Sequence, residues 1–364
     1  MSASAHGRNG CARVALCSLL VAAVGCAPDS SISSWSGSLA ADATAVYWID
    51  RYVGIRAFRA STGRIENLAR ADDTGTTSFN NLKLSDGRLF WSAVELGVSY
   101  PPPVVMYAMP ASGGTPVTVL RLNASETVVA FDVLGDVLYV YVERDDPGQI
   151  VWSLREVSIS TGASTDVQLG SATPPPNSTG IGRQGQQVLA TGANVFYLLW
   201  EPQSLHPTDS HSLSVFRLSS DGTSERLGNT VPPSMADNRL SVTSDAAYWL
   251  GPDANTIQAV PLTGGTVRTV LTLPPRAPTD PFPVDRFCTI AASATHLFAF
   301  RCLAPASGFY SDFWLMRVDP LRGTATETLR RRASFVRAFT AAEDVQYWFE
   351  ESTSAIVPRL RSSE

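Results

Sequence analysis

One short pattern returns seven times along this chain: an aliphatic residue, then one or two aromatics, just after a small polar turn. It reads Val46-Tyr47-Trp48, Leu89-Phe90-Trp91, Leu138-Tyr139-Val140, Val195-Phe196-Tyr197, Ala247-Tyr248-Trp249 and Leu297-Phe298-Ala299. The seventh, Gln346-Tyr347-Trp348, begins with a polar residue. The third positions lie 43, 49, 57, 52, 50 and 49 residues apart. A period near fifty carried by strand-forming residues predicts the blades of a β-propeller.

The first repeat shows the unit. Asp42-Ala43-Thr44 is a turn, Ala45 to Ile49 a strand rich in β-branched and aromatic residues, and Ile55 to Arg59 a second strand. Ser61-Thr62-Gly63 is another turn, where glycine takes a positive φ without a Cβ penalty, and Ile65 to Leu68 follows it. That turn returns as Ser112-Gly113-Gly114, Ser160-Thr161-Gly162, Asp221-Gly222, Gly264-Gly265 and Arg322-Gly323. With one more strand ahead of each aromatic pattern, the expectation is all-β: a seven-bladed propeller of four-stranded antiparallel blades over residues 31–364. The last repeat ends without a Gly turn or outer strand. Ser31 to Leu39 is expected either to complete that blade or to be the inner strand of the first.

The start of the chain differs from the rest. Arg8 and Arg13 precede an almost continuously apolar or small stretch, Val14 to Gly25, which reads as a signal peptide over residues 1–25. Ala23-Val24-Gly25-Cys26 resembles a bacterial lipobox, and that resemblance implies cleavage before Cys26, lipidation of Cys26 and a short tether over residues 26–30. The location implied is the exported side of a bacterial envelope, held at the membrane, with simple secretion as the alternative. Cleavage would shift the formal charge from -5 to -7, since two Arg and no acid are lost. No strong basic patch points to nucleic acid.

Four repeats carry enlarged connections between the aromatic strand and the next: Ser92 to Pro103, Glu143 to Gln149, Glu201 to His211 and Leu303 to Asp312. Blade connectivity places all four on one face, where insertions in repeat proteins often form a binding surface. Tyr100, His206 and Tyr310 are the candidate contacts, two rigid aromatics and a polar imidazole tip. The ligand class expected is an envelope protein or glycan. Neutral growth of surface hairpins is the competing account. Arg330-Arg331-Arg332 reads as a solvated surface or edge protection rather than a nucleic-acid site. Cys288 and Cys302 flank the Ser293–Thr295 turn almost symmetrically. In an oxidising compartment that position favours a disulfide; otherwise they are two separate buried thiols.

Catalytic signatures are sparse. His206, Asp209 and His211 share one loop without a fixed metal motif, and Asp145-Asp146 lacks the alternating acids of a calcium loop. No serine elbow, zinc-protease HExxH motif or dinucleotide fingerprint occurs. The expectation is therefore no catalytic residue, no metal and no cofactor. A propeller lyase or hydrolase remains the alternative, with His206, His211, His296 and acids assembled around the central opening.

Tyr47-Trp48-Ile49-Asp50, followed by Ile55-Arg56-Ala57 and Gly63, resembles a blade of the YWTD-type propellers. Val215-Phe216-Arg217 before Asp221-Gly222 is similar in the fourth repeat. The first repeat lacks the Thr, and the other six lack the following Asp. YWTD propellers are often six-bladed. The resemblance implies blade form and an extracellular recognition role, and carries no binding residue with it.

Overall fold

The computed structural model describes residues 35–50, 53–70, 76–95, 102–172, 187–192, 194–201, 212–230, 239–275, 284–304, 312–332, 335–342, 345–352 and 355–362. The first sheet is β1 (Trp35–Ala41), β2 (Ala45–Asp50), β3 (Gly54–Arg59) and β4 (Arg64–Arg70). The second is β5 (Thr76–Ser85), β6 (Arg88–Glu95), β7 (Val104–Pro110) and β8 (Val117–Arg121). β9 (Glu126–Leu134), β10 (Val137–Asp146), β11 (Gln149–Ser158) and β12 (Ser164–Ala172) form the third. The fourth holds β13 (Val188–Ala190), β14 (Asn194–Glu201), β15 (Ser212–Ser219) and β16 (Ser224–Thr230). In the fifth are β17 (Leu240–Val242), β18 (Ala246–Leu250), β19 (Thr256–Pro261) and β20 (Arg268–Thr272). The sixth is β21 (Val284–Ala292), β22 (Leu297–Ala304), β23 (Asp312–Asp319) and β24 (Thr324–Arg332), and the last is β25 (Phe335–Ala342), β26 (Val345–Ser352) and β27 (Ala355–Ser362).

Each sheet is a simple antiparallel meander in chain order. The first strands of successive sheets stand side by side, and β25 returns beside β1, so the sheets are arranged radially. This is a β-propeller. Six blades are four-stranded, whereas β25–β27 is a three-stranded sheet. The expectation of seven four-stranded blades is thus corrected to six. The reason lies in β1, which cannot serve two sheets. Leu39, Ala40 and Ala41 pair with Trp48, Tyr47 and Val46, making β1 the inner strand of the first blade. The option that Ser31 to Leu39 completes the last blade is thereby withdrawn.

The core lies between blades. Successive side chains of a strand point to opposite faces of its sheet, so an adjacent aromatic pair sends one ring into each neighbouring layer. Tyr47 and Trp91 share the layer between the first and second blades, while Phe90 enters the layer between the second and third. Tyr197 packs toward the third blade and Phe196 toward the fifth. Trp249 and Tyr248 divide in the same way between the fourth and sixth blades. Trp48, Trp91 and Trp249 are completely buried.

The Gly turns read from the sequence hold: Gly63, Gly162, Gly222 and Gly323 have φ of 65°, 72°, 82° and 65°. A further turn joins β5 to β6. Asp86 and Gly87 have φ of 47° and 68° and link Ser85 to Arg88 directly, the two-residue geometry that matches strand twist. Gly54 is required for a second reason. It has φ of 119°, and a Cβ there would lie 2.1 Å from the Ala69 carbonyl oxygen on the next strand. Gly54→Ala should therefore destabilise the protein by roughly 2–4 kcal/mol, through backbone strain and steric displacement of β4. Chemical denaturation should show the loss as a lower midpoint. An unchanged midpoint would mean that β4 is not held against Gly54.

Candidate recognition face

The meander fixes two faces. The connections from second to third strand, and those from blade to blade, emerge on one of them. The Gly turns and inner hairpins occupy the other. Strand length then shapes the first face. Measured from the central core position, β2 runs two residues beyond Trp48 and β18 one beyond Trp249. β6 runs four beyond Trp91, β14 four beyond Tyr197, β22 five beyond Ala299 and β10 six beyond Val140. At ~3.3 Å per residue, β10 rises roughly 13–17 Å above the ends of β2 and β18. β26 of the last sheet runs four beyond Trp348. The rim is uneven, low at the first and fifth blades and raised at the second, third, fourth and sixth blades and at the last sheet.

Glu143 to Gln149 is itself corrected from loop to strand. β10 and β11 pair continuously to Asp146 and Gln149, leaving Pro147-Gly148 as the turn. Polar contacts stiffen this longest hairpin. Arg144 donates to both carboxylate oxygens of Asp146 at 2.8 and 2.9 Å, which balances that acid's charge. Trp152 Nε1 donates to Glu143 at 3.1 Å. Arg155 reaches Glu126 on β9 at 2.8 and 3.1 Å and Asp166 on β12 at 2.7 and 2.8 Å, joining the inner and outer strands of the blade. Burial acts to raise the Glu126 carboxyl, but hydrogen bonds from Arg155 and from the Asn123 backbone outweigh it, so the group lies below the usual range.

Neighbouring blades are tied near the central axis. Gln187 Oε1 accepts from the backbone N–H groups of Arg239 and Leu240 at 2.8 and 3.0 Å. Asp132 pairs with Lys83 at 3.4 Å and accepts from the Ala190 N–H at 2.8 Å, spanning three blades. Phe287 N–H donates to the Ala254 carbonyl, seating the low loop of the fifth blade against the sixth.

Charged aromatic rows flank both low blades. On the second blade, toward the first, Glu95 pairs with Arg121 beside Tyr107, whose ring stacks on Trp91 at 5.6 Å. On the sixth blade, Arg301, Trp314 and Arg330 are cross-strand neighbours. The two guanidinium groups lie 5.5 and 5.1 Å from the Trp314 ring. Arg301 shares the strand face of Leu297 and Ala299, which pack toward the fifth blade, so the row overlooks that low blade.

Cys26, Tyr100, His206, His211 and Tyr310 lie outside the described residues. Cys288 and Cys302 are joined as a disulfide, with Cα atoms 6.0 Å apart. Cys302 is buried in the layer between the sixth blade and the last sheet, with Cys288 packed against it, and Phe300 and Trp348 share the layer. Cys288 is the extra residue of a bulge on β21. His296 sits in the β21–β22 turn, on the face opposite the raised hairpins. Its Nδ1 meets Thr295 Oγ1 at 2.9 Å, and its Nε2 meets the Arg317 guanidinium. Among the described residues no group of three His, Cys, Asp or Glu is placed to hold a metal ion. The Arg–Trp–Arg row was not anticipated. Its one signal was the arginine run at 330–332, and only strand register brings Trp314 beside it.

No protein-family model matches the sequence, and no curated protein sequence matches it. Solved structures do resemble the fold. A prolyl endopeptidase is 15% identical with a TM-score of 0.59, over 96% of this chain and 52% of that one. Puromycin hydrolase is 14% identical with a TM-score of 0.57, over 92% and 54%. The β-propeller domain of the Trilobed protease from Pyrococcus furiosus, described as having an open velcro topology, is 6% identical with a TM-score of 0.52, over 89% and 91%. The chain spans about half the length of the first two proteins. At these identities the likeness establishes the propeller fold.

The Glu126–Arg155 contact predicts a pH response. A depressed carboxyl stabilises the folded state above the ordinary Glu range, near ~4.3, and the contribution is lost as pH falls through the folded value. Glu126→Gln should cost about 1–3 kcal/mol at neutral pH, since Arg155 keeps Asp166. The difference from wild type should shrink toward pH ~3. Thermal melts across that range check it, and a pH-independent difference would exclude the linkage.

Proposed function

We propose that this chain is an exported, envelope-anchored recognition propeller, acting through the face that carries the raised hairpins. The observation that carries the reading is the uneven rim, where the second strands of four blades and of the last sheet are prolonged on one face while the packed level beneath stays constant. Tyr100, His206 and Tyr310 follow β6, β14 and β22 in sequence, and the C-terminal ends of those three strands lie on this face. The partner is an envelope protein or glycan.

The anchor adds orientation. β1 begins at Trp35 on the same face, nine residues after the lipidated Cys26 of this reading. Nine extended residues reach at most about 30 Å. The tether therefore holds the recognition face toward the membrane surface, where partners in the same envelope are concentrated.

A hydrolytic or lyase role is the second reading. The observation favouring it is that the similar folds include proteins named as a hydrolase and peptidases. Roughly half of each of those chains has no counterpart in this one, so the reading locates chemistry on this propeller only if distant blades assemble it.

Intact-mass analysis of membrane-extracted protein should show cleavage before Cys26 and added acyl chains; a non-acylated mature chain would remove the anchor. Shortening the segments 96–101, 202–211 and 305–311 together, with the fold checked by circular dichroism, should abolish capture of a specific partner from envelope extract. An unchanged capture profile would exclude this face. Turnover of peptide substrates by the unmodified protein, lost on His206→Ala, would favour the second reading.

A further inference from the structure

Among the described residues, Arg330 is held by a ring contact and an ion pair, with no hydrogen bond. Its guanidinium stacks 5.1 Å from the Trp314 ring, and its partner Asp312 stands 3.9 Å away, beyond hydrogen-bond distance. Arg301, on the other side of the ring, differs: Asp285 takes its Nε at 2.7 Å and a second nitrogen as well. Arg330 is half-exposed, whereas Trp314 is buried. A guanidinium carries five N–H donors in a rigid fork suited to carboxylate and phosphate oxygens. Here the fork is oriented by the indole and by strand β24, and among the described residues its nearest carboxylate is that of Asp312, at ion-pair distance.

The surroundings decide what can reach it. The row lies at the level of Arg301, and β22 continues three residues further to Ala304 before its hairpin begins. A flat anionic surface would meet the end of β22 roughly 10 Å before it met the level of Arg301. A narrow extended ligand lying over the low fifth blade avoids that obstruction. β24 is also the outermost strand of its blade, so among the described residues its outer edge has no partner strand and can accept an added one. Arg331 and Arg332 continue the same strand in sequence, on a chain whose net charge is otherwise negative.

We infer that the edge of β24 beside the low fifth blade is a binding site for an extended acidic peptide segment, with Arg330 as its carboxylate-binding residue and Trp314 as the residue that positions Arg330. This deepens the recognition role and rests on it for its biological setting, while its physical test does not require the hairpins.

Titration of hexaglutamate into the mature chain should give saturable, salt-sensitive binding. Arg330→Ala should weaken it about tenfold, with near-UV circular dichroism unchanged. Arg330→Lys should restore only part of the affinity, because a point charge lacks the fork. Should Arg330→Ala fold poorly, Arg330→Gln provides the same comparison with closer volume. Absence of binding by the wild type, or equal binding by the folded Ala or Gln variant, would overturn the site. So would Arg330-dependent binding to phosphatidylglycerol-rich vesicles with no response to hexaglutamate, which would assign the patch to a membrane surface. Hexaglutamate binding that survives shortening of the three hairpin segments would support this site even where the face-wide recognition role had failed.

Discussion

Two adjacent aromatics on one strand must point in opposite directions, and the packing of this propeller follows from that constraint. A blade has no interior of its own, because its sheet is one layer thick and both faces must be covered by neighbours. The pairs Tyr47-Trp48, Phe90-Trp91, Phe196-Tyr197 and Tyr248-Trp249 supply bulk to the layers on both sides at once. Where the pair is weaker, nearby aromatics compensate. The sixth blade has Ala299 in the third position, and Phe287 and Ile290 of β21 fill the layer toward the fifth blade beside it. On its other face Phe300 and Phe313 fill the layer toward Phe339 and Trp348 with edge-on rings at 4.7 to 6.0 Å. The disulfide enters this same layer, adding a covalent tie where the neighbouring sheet has three strands.

Closure of the ring poses a separate problem, since β1 is committed to the first blade and supplies no strand to the last. Side chains bridge that seam. Tyr347 of the last sheet donates to the Asp42 carbonyl at 3.2 Å, while Tyr47 donates to the Asp42 carboxylate at 2.9 Å. Arg59 continues the chain of contacts, donating to Tyr47 Oη at 3.1 Å and to the Ala111 carbonyl of the second blade at 2.8 Å. Burial, with Asp42 beside them, pushes both tyrosine hydroxyls up to about 12, so they stay neutral donors at ordinary pH. The hydrogen-bonded path thus runs from the last sheet through the first blade to the second.

Blade architecture was legible because it depends on local signals repeated many times. Aromatic strands, Gly turns and the near-fifty period each state the same arrangement, and a turn such as Ser61-Thr62-Gly63 acts within a few residues. The division of labour of β1 was not legible, because Trp35 to Ala41 reads as a strand in either role and only pairing with Val46 to Trp48 decides. The Glu143–Gln149 stretch misled for a related reason. Its acids and Pro-Gly look like loop composition, yet exposed strand extensions tolerate charge, and the partner strand supplies the hydrogen bonds. The Arg301–Trp314–Arg330 row escaped notice because its members are thirteen and sixteen residues apart in sequence and meet only through register. Cys288 and Cys302 were readable because both border the same hairpin.

These two kinds of information occupy different heights in the molecule. At the level of Trp48, Trp91, Tyr197 and Trp249, every substitution must satisfy two neighbouring blades, so residue types repeat. Above that level a blade can lengthen its second and third strands without disturbing the layer below, since added cross-strand pairs satisfy their own backbone groups. The third blade does this to the greatest extent, and the fifth stays low, its loop tied by Ala254 to Phe287. Height differences between adjacent blades then expose flanks that a regular propeller would cover. A charged row such as Arg301–Trp314–Arg330 can persist on a flank of this kind because the neighbouring blade stops short of it. Irregular strand length thus creates both the raised surface and the recess beside it, while the repeating core below remains unchanged.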